Sequence, residues 1–215
     1  MYLQITNRCN MSCAHCGMNC TAKGEDMTPR MYKKAIEYIA SISESITIGG
    51  GEPTLHKHFW EIMGLSLGSV ENVWLATNGS ITDTALKLAN MARRGVIGCA
   101  LSQDYYHDPI DERVVQAFQK DRKSLGNGIS VYANNDRDLR EIRDVSDNIV
   151  NAGRCNFGED GCVCSEIIIT PDGTIMGCGC DDAPSFGNVF KPAIPDDWEY
   201  GMCYKEQEKY LEGIA

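Results

Sequence analysis

Through its first two-thirds the chain alternates short apolar runs with amphipathic helical runs, a pattern that few folds satisfy. Tyr2–Thr6, Ser45–Ile48, Asn72–Thr77, Val96–Ser102 and Ile129–Ala133 read as strands, with Asn148–Val150 as a short sixth. Thr28-Pro29 caps and opens a helix reaching about Ser41, in which Met31, Ala35, Ile36, Ile39 and Ile42 recur at helical spacing. Further helices are predicted over Lys57–Leu67, from a cap at Thr82 or Asp83 to Arg94, over Pro109–Lys123 and over Arg137–Val145. Repeated β–α units imply a parallel sheet with right-handed crossovers, whose functional loops lie at the carboxyl ends of the strands. A complete eight-stranded β/α barrel takes about 250 residues. The 215 residues here therefore predict an α/β fold with a shortened barrel of five to six parallel strands.

After Gly153 the texture changes. Ile167–Thr170, the turn Pro171-Asp172-Gly173 and Thr174–Met176 read as a β-hairpin flanked by cysteines, and a helix is predicted near Tyr204–Leu211. The expected organisation is a barrel unit over 1–152 and a small cysteine-rich hairpin module over 153–215. The first strand starts at the second residue, so no domain and no signal peptide are expected ahead of it.

A net charge of −10 offers no basic surplus for non-specific binding to nucleic acid or to an anionic membrane. The short basic cluster around Lys120–Lys123 reads as a solvated helix face. No stretch approaches the ~20 apolar residues of a membrane span. The 11 cysteines are odd in number and gather at 9–20 and 155–180, with Cys99 alone between them. That distribution suits metal sites in a reducing cytoplasm better than a disulfide framework.

Cys9, Cys13 and Cys16 follow the first strand with C-x3-C-x2-C spacing. Zinc sites favour four protein ligands and C-x2-C pairs, whereas iron–sulfur clusters draw thiolates from one compact run. Three ligands on a four-iron cube leave one iron open to a chelating amino acid. A zinc knuckle completed by Cys20 or His15 is the alternative. Gly49-Gly50-Gly51 closes the second strand, where glycines admit a ligand close to the backbone, and Glu52 can accept a hydrogen bond from an ammonium group.

Cys9, Cys13 and Cys16 together with Gly50-Gly51-Glu52-Pro53 resemble the cluster and GGEP motifs of the radical S-adenosylmethionine (SAM) superfamily. The resemblance implies a [4Fe–4S] cluster with an open site that binds SAM, cleaves it reductively and releases a 5′-deoxyadenosyl radical to abstract hydrogen from substrate. His15 stands where the family places an aromatic residue beside the adenine. Thr77 and Asn78 resemble the family's third-strand end, Ser102-Gln103-Asp104 its Ser-x-Asp, and Asn134 is a candidate ribose contact. His107-Asp108 and Arg113 resemble a His-Asp-x-x-Arg pattern of the peptide-modifying branch, with Tyr105 where a glycine is usual. Asp104 and Tyr105 are catalytic candidates by location.

Cys162, Gly173 and Cys178 resemble the C-x(9–15)-G-x4-C pattern of the SPASM/Twitch module, as do Gly153-Arg154 and Gly187-Asn188-Val189. The hairpin brings cysteines outside its two arms near one another. This implies one auxiliary [4Fe–4S] cluster drawing on Cys162 or Cys164, Cys178, Cys180 and Cys203, with Cys155 a lesser candidate; a structural zinc at the same cysteines is the alternative. Cys99 reads as buried packing, Cys20 as a spare or substrate-proximal thiol, and His56 and His58 as surface residues. The functional expectation is a cytoplasmic radical SAM oxidoreductase or maturase acting on a peptide, protein or small metabolite, served by an electron donor such as flavodoxin or ferredoxin. The rivals are a glycyl-radical-enzyme activase and a non-enzymatic zinc or iron–sulfur module.

Overall fold

Leu3, Gln4, Ile5 and Thr6 are all buried, which places the first strand at the centre of a sheet covered on both faces. The structure, a computed structural model, describes residues 1–120, 122–124, 130–132, 137–146, 149–159, 166–180, 182–196 and 198. Its elements begin with β1 (Tyr2–Thr6), α1 (Pro29–Ile42), β2 (Ser45–Gly50), α2 (Phe59–Ser69), β3 (Asn72–Thr77), α3 (Thr82–Arg93), β4 (Gly98–Ser102) and α4 (Glu112–Phe118). They continue with β5 (Arg122–Ser124), β6 (Ser130–Tyr132), β7 (Arg140–Arg143), β8 (Ile168–Ile169), β9 (Thr174–Met176), β10 (Ser185–Asn188) and β11 (Lys191–Pro192).

One sheet carries the order β11-β10-β9-β8-β1-β2-β3-β4-β7. From β8 to β7 every pairing is parallel, and from β8 to β11 every pairing is antiparallel. The barrel is thus partial, with β7 and β11 at its edges among the described residues. The parallel strands are β8, β1, β2, β3, β4 and β7, within the range expected from length. The hairpin β8–β9 forms where the turn signal placed it, with Gly173 at φ 82 and its N–H bonded to Thr170 O at 2.8 Å. It extends the main sheet, and Ile169, Ile175 and Phe186 belong to the same core as Leu3 and Ile48.

The helices form largely where periodicity placed them. Thr28 Oγ1 accepts from Met31 N–H at 3.4 Å and Pro29 opens α1, whose Tyr32, Ala35, Ile36 and Ile39 are buried. In α3 the buried face is Ala85, Leu88, Ala89 and Ala92, but Thr82 lies inside the helix and Ile81 precedes it with no side-chain cap.

Four expectations beyond β4 are corrected. The Pro109–Lys123 helix shortens to α4, opened by Asp111, whose carboxylate accepts from Arg113 N–H at 3.0 Å. The stretch read as a fifth parallel strand instead supplies β6, which pairs antiparallel with β5 in a separate ribbon. Asn127-Gly128 between them is a hairpin signal that outranks the apolar run. The charged segment read as a helix over Arg137–Val145 contains β7, the fifth parallel strand, paired with β4 from Cys99↔Arg140 to Ser102↔Arg143. Charged residues suit an edge strand. Arg140 is buried there, donating to both Asp138 oxygens at 2.9 and 2.6 Å and to Ala117 O at 2.6 Å. The expected strand at Asn148–Val150 is, at Val150, an isolated bridge to Glu159; Asn148 and the helix near Tyr204–Leu211 lie outside the described residues.

Truncating Ile48 to Ala, in the middle of β2, is expected to cost about 2–5 kcal/mol in urea unfolding. Ile42→Ala, on the exposed end of α1, should stay within about 0.5 kcal/mol. Arg140 holds the Asp138 carboxyl below its usual range, so this pair stabilises the fold above the ordinary aspartate pKa and is lost as pH falls through the depressed value. The stability gap between the wild-type chain and Asp138→Asn should therefore be widest above about pH 5 and shrink below about pH 3.

Candidate active site

The carboxyl ends of β1, β2, β3, β4 and β7 open onto one cavity of about 230 Å³. The cysteine loop after β1 is rooted by the β1–β2 ladder, which continues past both strands: Gly51 N–H donates to Thr6 O and Glu52 N–H to Arg8 O, each at 2.9 Å. Its two ends are tied by Cys9 N–H to Thr21 O at 2.9 Å and Thr21 N–H to Asn7 O at 3.2 Å. The Arg8 guanidinium anchors the root from outside, on Asp26 Oδ2 at 2.8 Å and Leu55 O at 2.7 Å. Close approach requires glycine here: a Cβ on Gly51 would strike the Arg8 carbonyl and stand 2.8 Å from the Cys9 Cβ.

A second brace comes from the far end of the chain. Arg154 N–H donates to Cys16 O at 3.1 Å, and its guanidinium donates to Cys20 O. Gly153 at φ 56 makes this possible, since a Cβ there would meet Gly17 and Cys16 backbone.

Cys9, Cys13 and Cys16 all line the cavity. Burial pushes the Cys9 thiol up, and burial with the neighbouring Cys9, Cys16 and Asp104 charges pushes Cys13 to about 11. Cys16 is lowered to about 5, first by the hydrogen bond from the Cys20 thiol, with Arg154 helping; Cys20 is correspondingly raised. Cys20, left open as a spare thiol, is buried beside Cys16 and donates to Met18 O at 3.5 Å. Met11 N–H at 3.4 Å and Asn78 Nδ2 at 3.8 Å both point at Cys9 Sγ. Three thiols drawn from one compact run match the ligand pattern of an iron–sulfur cluster, in which each thiolate serves a different iron.

Gly50, Gly51, Thr77, Asn78, Ser102, His15 and Asp104 line the same cavity. Glu52 does not. Its carboxylate is fully buried beneath the floor, accepting from Thr54 N–H at 3.1 Å, Thr54 Oγ1 at 2.6 Å, Thr77 Oγ1 at 2.8 Å and Asn78 N–H at 2.6 Å. Burial raises its pKa and the four donors oppose that rise. Glu52 therefore joins the ends of β2 and β3, and buried Pro53 opens the adjoining 3-10 turn. Tyr105 is 88% exposed, away from the cavity. Asp104 is held at Oδ1 by Tyr106 N–H at 2.9 Å and lies 2.8 Å from His107 Nδ1.

His107, noted in the sequence only as part of a motif, and Arg143 both line the cavity. The Asp-x-x-His spacing of Asp104 and His107 signalled the first; Arg143 gave no signal, because its segment reads as a helix. His56, expected at the surface, is buried with Nε2 2.9 Å from Met27 O. Cys178 and Cys155 are buried and Cys180 half-buried, none of them on this cavity. Asn134, Cys162, Cys164 and Cys203 lie outside the described residues.

The sequence model of the radical SAM superfamily matches residues 3–151, spanning every element that bounds the cavity. The chain belongs to the radical SAM superfamily. Among relatives of this radical SAM protein, a probable GTP 3′,8-cyclase of Methanosarcina acetivorans is 29% identical over 114 residues, 48% of this chain and 34% of that protein. The mycofactocin maturase MftC of Mycobacterium tuberculosis is 30% identical over 79 residues, 35% of this chain and 20% of that protein. The radical SAM chain thus spans about a third or less of these curated relatives' length. In fold it is similar to BtrN in complex with AdoMet and 2-DOIA, with TM-score 0.63 and 17% identity, covering 98% of this chain and 85% of that one. It is also similar to anSMEcpe with bound AdoMet and Cp18Cys peptide, with TM-score 0.53 and 14% identity over 89% and 77% of the two chains.

Glu52→Gln tests the four-donor floor of this radical SAM site. An amide nitrogen placed among donors leaves at least one N–H or O–H unmet, so the cluster-free protein should lose about 1–3 kcal/mol in urea unfolding. An unchanged midpoint would show that Glu52 does not tie the strand ends together.

Proposed function

We propose that this chain is a radical SAM enzyme of the SPASM/Twitch branch, with Cys9, Cys13 and Cys16 as ligands of the SAM-binding [4Fe–4S] cluster. The observation that carries this reading is the convergence of Cys9, Cys13 and Cys16 on one cavity that Gly50, Gly51, Thr77, Asn78 and Ser102 also line. When bound, the cluster supplies the electron that cleaves SAM into methionine and a 5′-deoxyadenosyl radical.

The residues' own contributions follow from their places. Gly50 and Gly51 admit the methionine part of SAM close to the backbone at the end of β2. Glu52 acts indirectly in this reading, by fixing the Asn78 backbone and hence the amide that points at Cys9. Pro53 sets the turn behind it. Thr77, Ser102 and His15, with Asn134, are the proposed SAM contacts. Thiols bind metal as thiolates, so loading releases protons, and the burial that raises Cys9 and Cys13 makes loading easier as pH rises.

Substrate enters the same cavity, which Asp104, His107 and Arg143 line, and is a peptide, a protein or a small metabolite; similarity to a maturase supports the first two and similarity to a cyclase of GTP the third. We assign residues 1–152 to the radical SAM unit and 153–215 to an auxiliary module. There Cys178 and Cys180, with Cys162, Cys164 or Cys203 and less favourably Cys155, hold one further [4Fe–4S] cluster. The electron donor is a flavodoxin or ferredoxin, and the setting is cytoplasmic. No helix among the described residues is long and apolar enough to cross a membrane.

Anaerobically reconstituted protein given SAM and dithionite should release 5′-deoxyadenosine and carry about eight irons, four for each cube. Cys13→Ala should abolish that release, whereas Cys178→Ala should leave it standing and lower iron to about four. Intact SAM after incubation with the reconstituted protein would overturn the enzymatic reading. A radical appearing on a partner protein's glycine would replace it with an activase.

A further inference from the structure

One more group of side chains around the cavity has ligand chemistry. His15, Asp104 and His107 each offer one ligand atom, and the three atoms lie within 4.8 Å of one another. Among the described residues no other set of three histidine, cysteine, aspartate or glutamate side chains converges so closely. The Asp104 side chain is fully buried, and those of His15 and His107 are 11% and 13% exposed. Tyr106 packs its ring 5.0 Å from that of His15, and the two imidazoles stand 5.1 Å apart, edge to face. The rings are held in place before anything binds.

Protein hydrogen bonds do not satisfy this group. Asp104 Oδ1 is used, by Tyr106 N–H and His107. Asp104 Oδ2 is buried and accepts no hydrogen bond, with His15 Nε2 3.4 Å away. His15 Nδ1 is likewise buried without a hydrogen-bond partner. A carboxylate oxygen taken out of water and left unmet is unfavourable, and a cation between the three groups would answer it. Two imidazoles and one carboxylate are the donors of a divalent first-row transition ion, since calcium and magnesium take oxygen ligands almost throughout. Such an ion held by three side chains keeps at least one position open.

We propose that His15, Asp104 and His107 bind a divalent transition-metal ion in the cavity wall, beside the three cysteines but without using any of them as a ligand, with an open position facing the cavity for an oxygen or nitrogen donor of a bound small molecule. His15 is what makes the set complete. A hydrocarbon aromatic at that position would keep the packing against Tyr106 and remove one ligand. The proposal uses these side chains alone and does not rest on the cleavage of SAM.

Mn²⁺ is the probe, because imidazole and carboxylate accept it while thiolates compete poorly. The full chain is first reconstituted anaerobically with iron and sulfide, so that cysteines are occupied. Mn²⁺ is then titrated in, and the free ion is read from its solution electron paramagnetic resonance signal. One Mn²⁺ per chain is expected, displaced by Zn²⁺ as the stability order of these metals requires. His107→Gln and His15→Phe should each weaken binding by more than about tenfold, and Glu37→Gln, on the exposed face of α1, should leave it unchanged. Circular dichroism of each variant reports folding, and should His107→Gln fail to fold, His15→Phe decides alone. No bound Mn²⁺ at about 1 mM, weaker than any metal affinity a built site needs, would overturn the proposal. So would binding that survives both histidine substitutions. SAM cleavage measured on the same samples separates the two readings: histidine-dependent Mn²⁺ binding without cleavage sinks only the catalytic one.

Discussion

The site depends on a backbone ladder that outlasts its strands. β1 and β2 pair in parallel through Thr6↔Gly50, and the pairing then continues through Gly51 to Thr6 and Glu52 to Arg8. Two loops of unrelated chemistry, one of thiols and one of glycines, are thereby held a hydrogen bond apart. Parallel strands place successive loops on one rim of the sheet, and the extra rungs turn that general closeness into a fixed distance. Gly51 belongs to this ladder as much as to any ligand, because a side chain there would push the cysteine loop off its root.

Around that ladder the electrostatics are uneven in a useful way. Three thiols in one half-buried loop resist ionising together, since each charge adds to the cost of the next. At one corner the neighbouring Cys20 and the positive charge of Arg154 lower Cys16 and relieve this. The C-terminal segment therefore does more than follow the barrel. It joins the sheet through β8 and reaches back through Gly153 and Arg154 to brace the loop. Next to the cysteines, His15 and His107 share the single carboxylate of Asp104, and one of its oxygens stays unmet.

Particular residues show where sequence reasoning held and where it gave out. β1, α1, β3 and the buried face of α3 were legible because each burial requirement is local: apolar residues recur at the period of their own element. The Cys9–Cys16 loop and the Gly50–Pro53 run were legible because spacing itself carries their chemistry. β7 was not, because Arg-Glu-Ile-Arg has helical polarity and becomes a strand only by docking on the open edge of β4. Glu52 was legible as important but not in its role: the four donors that occupy its carboxylate come from residues up to 26 positions away.

Sequence by itself determined the alternation of strands and helices, the cysteine and glycine loops at strand ends, and the hairpin turn at Gly173, since each is written in contiguous residues. Tertiary structure alone decided that the hairpin would extend the barrel sheet, that Arg154 would brace a loop 134 positions earlier at Cys20, and that Tyr105 would face away while His107 faced in. These outcomes turn on which distant surfaces meet, and the free energy that selects them arises only when the chain has closed those long loops.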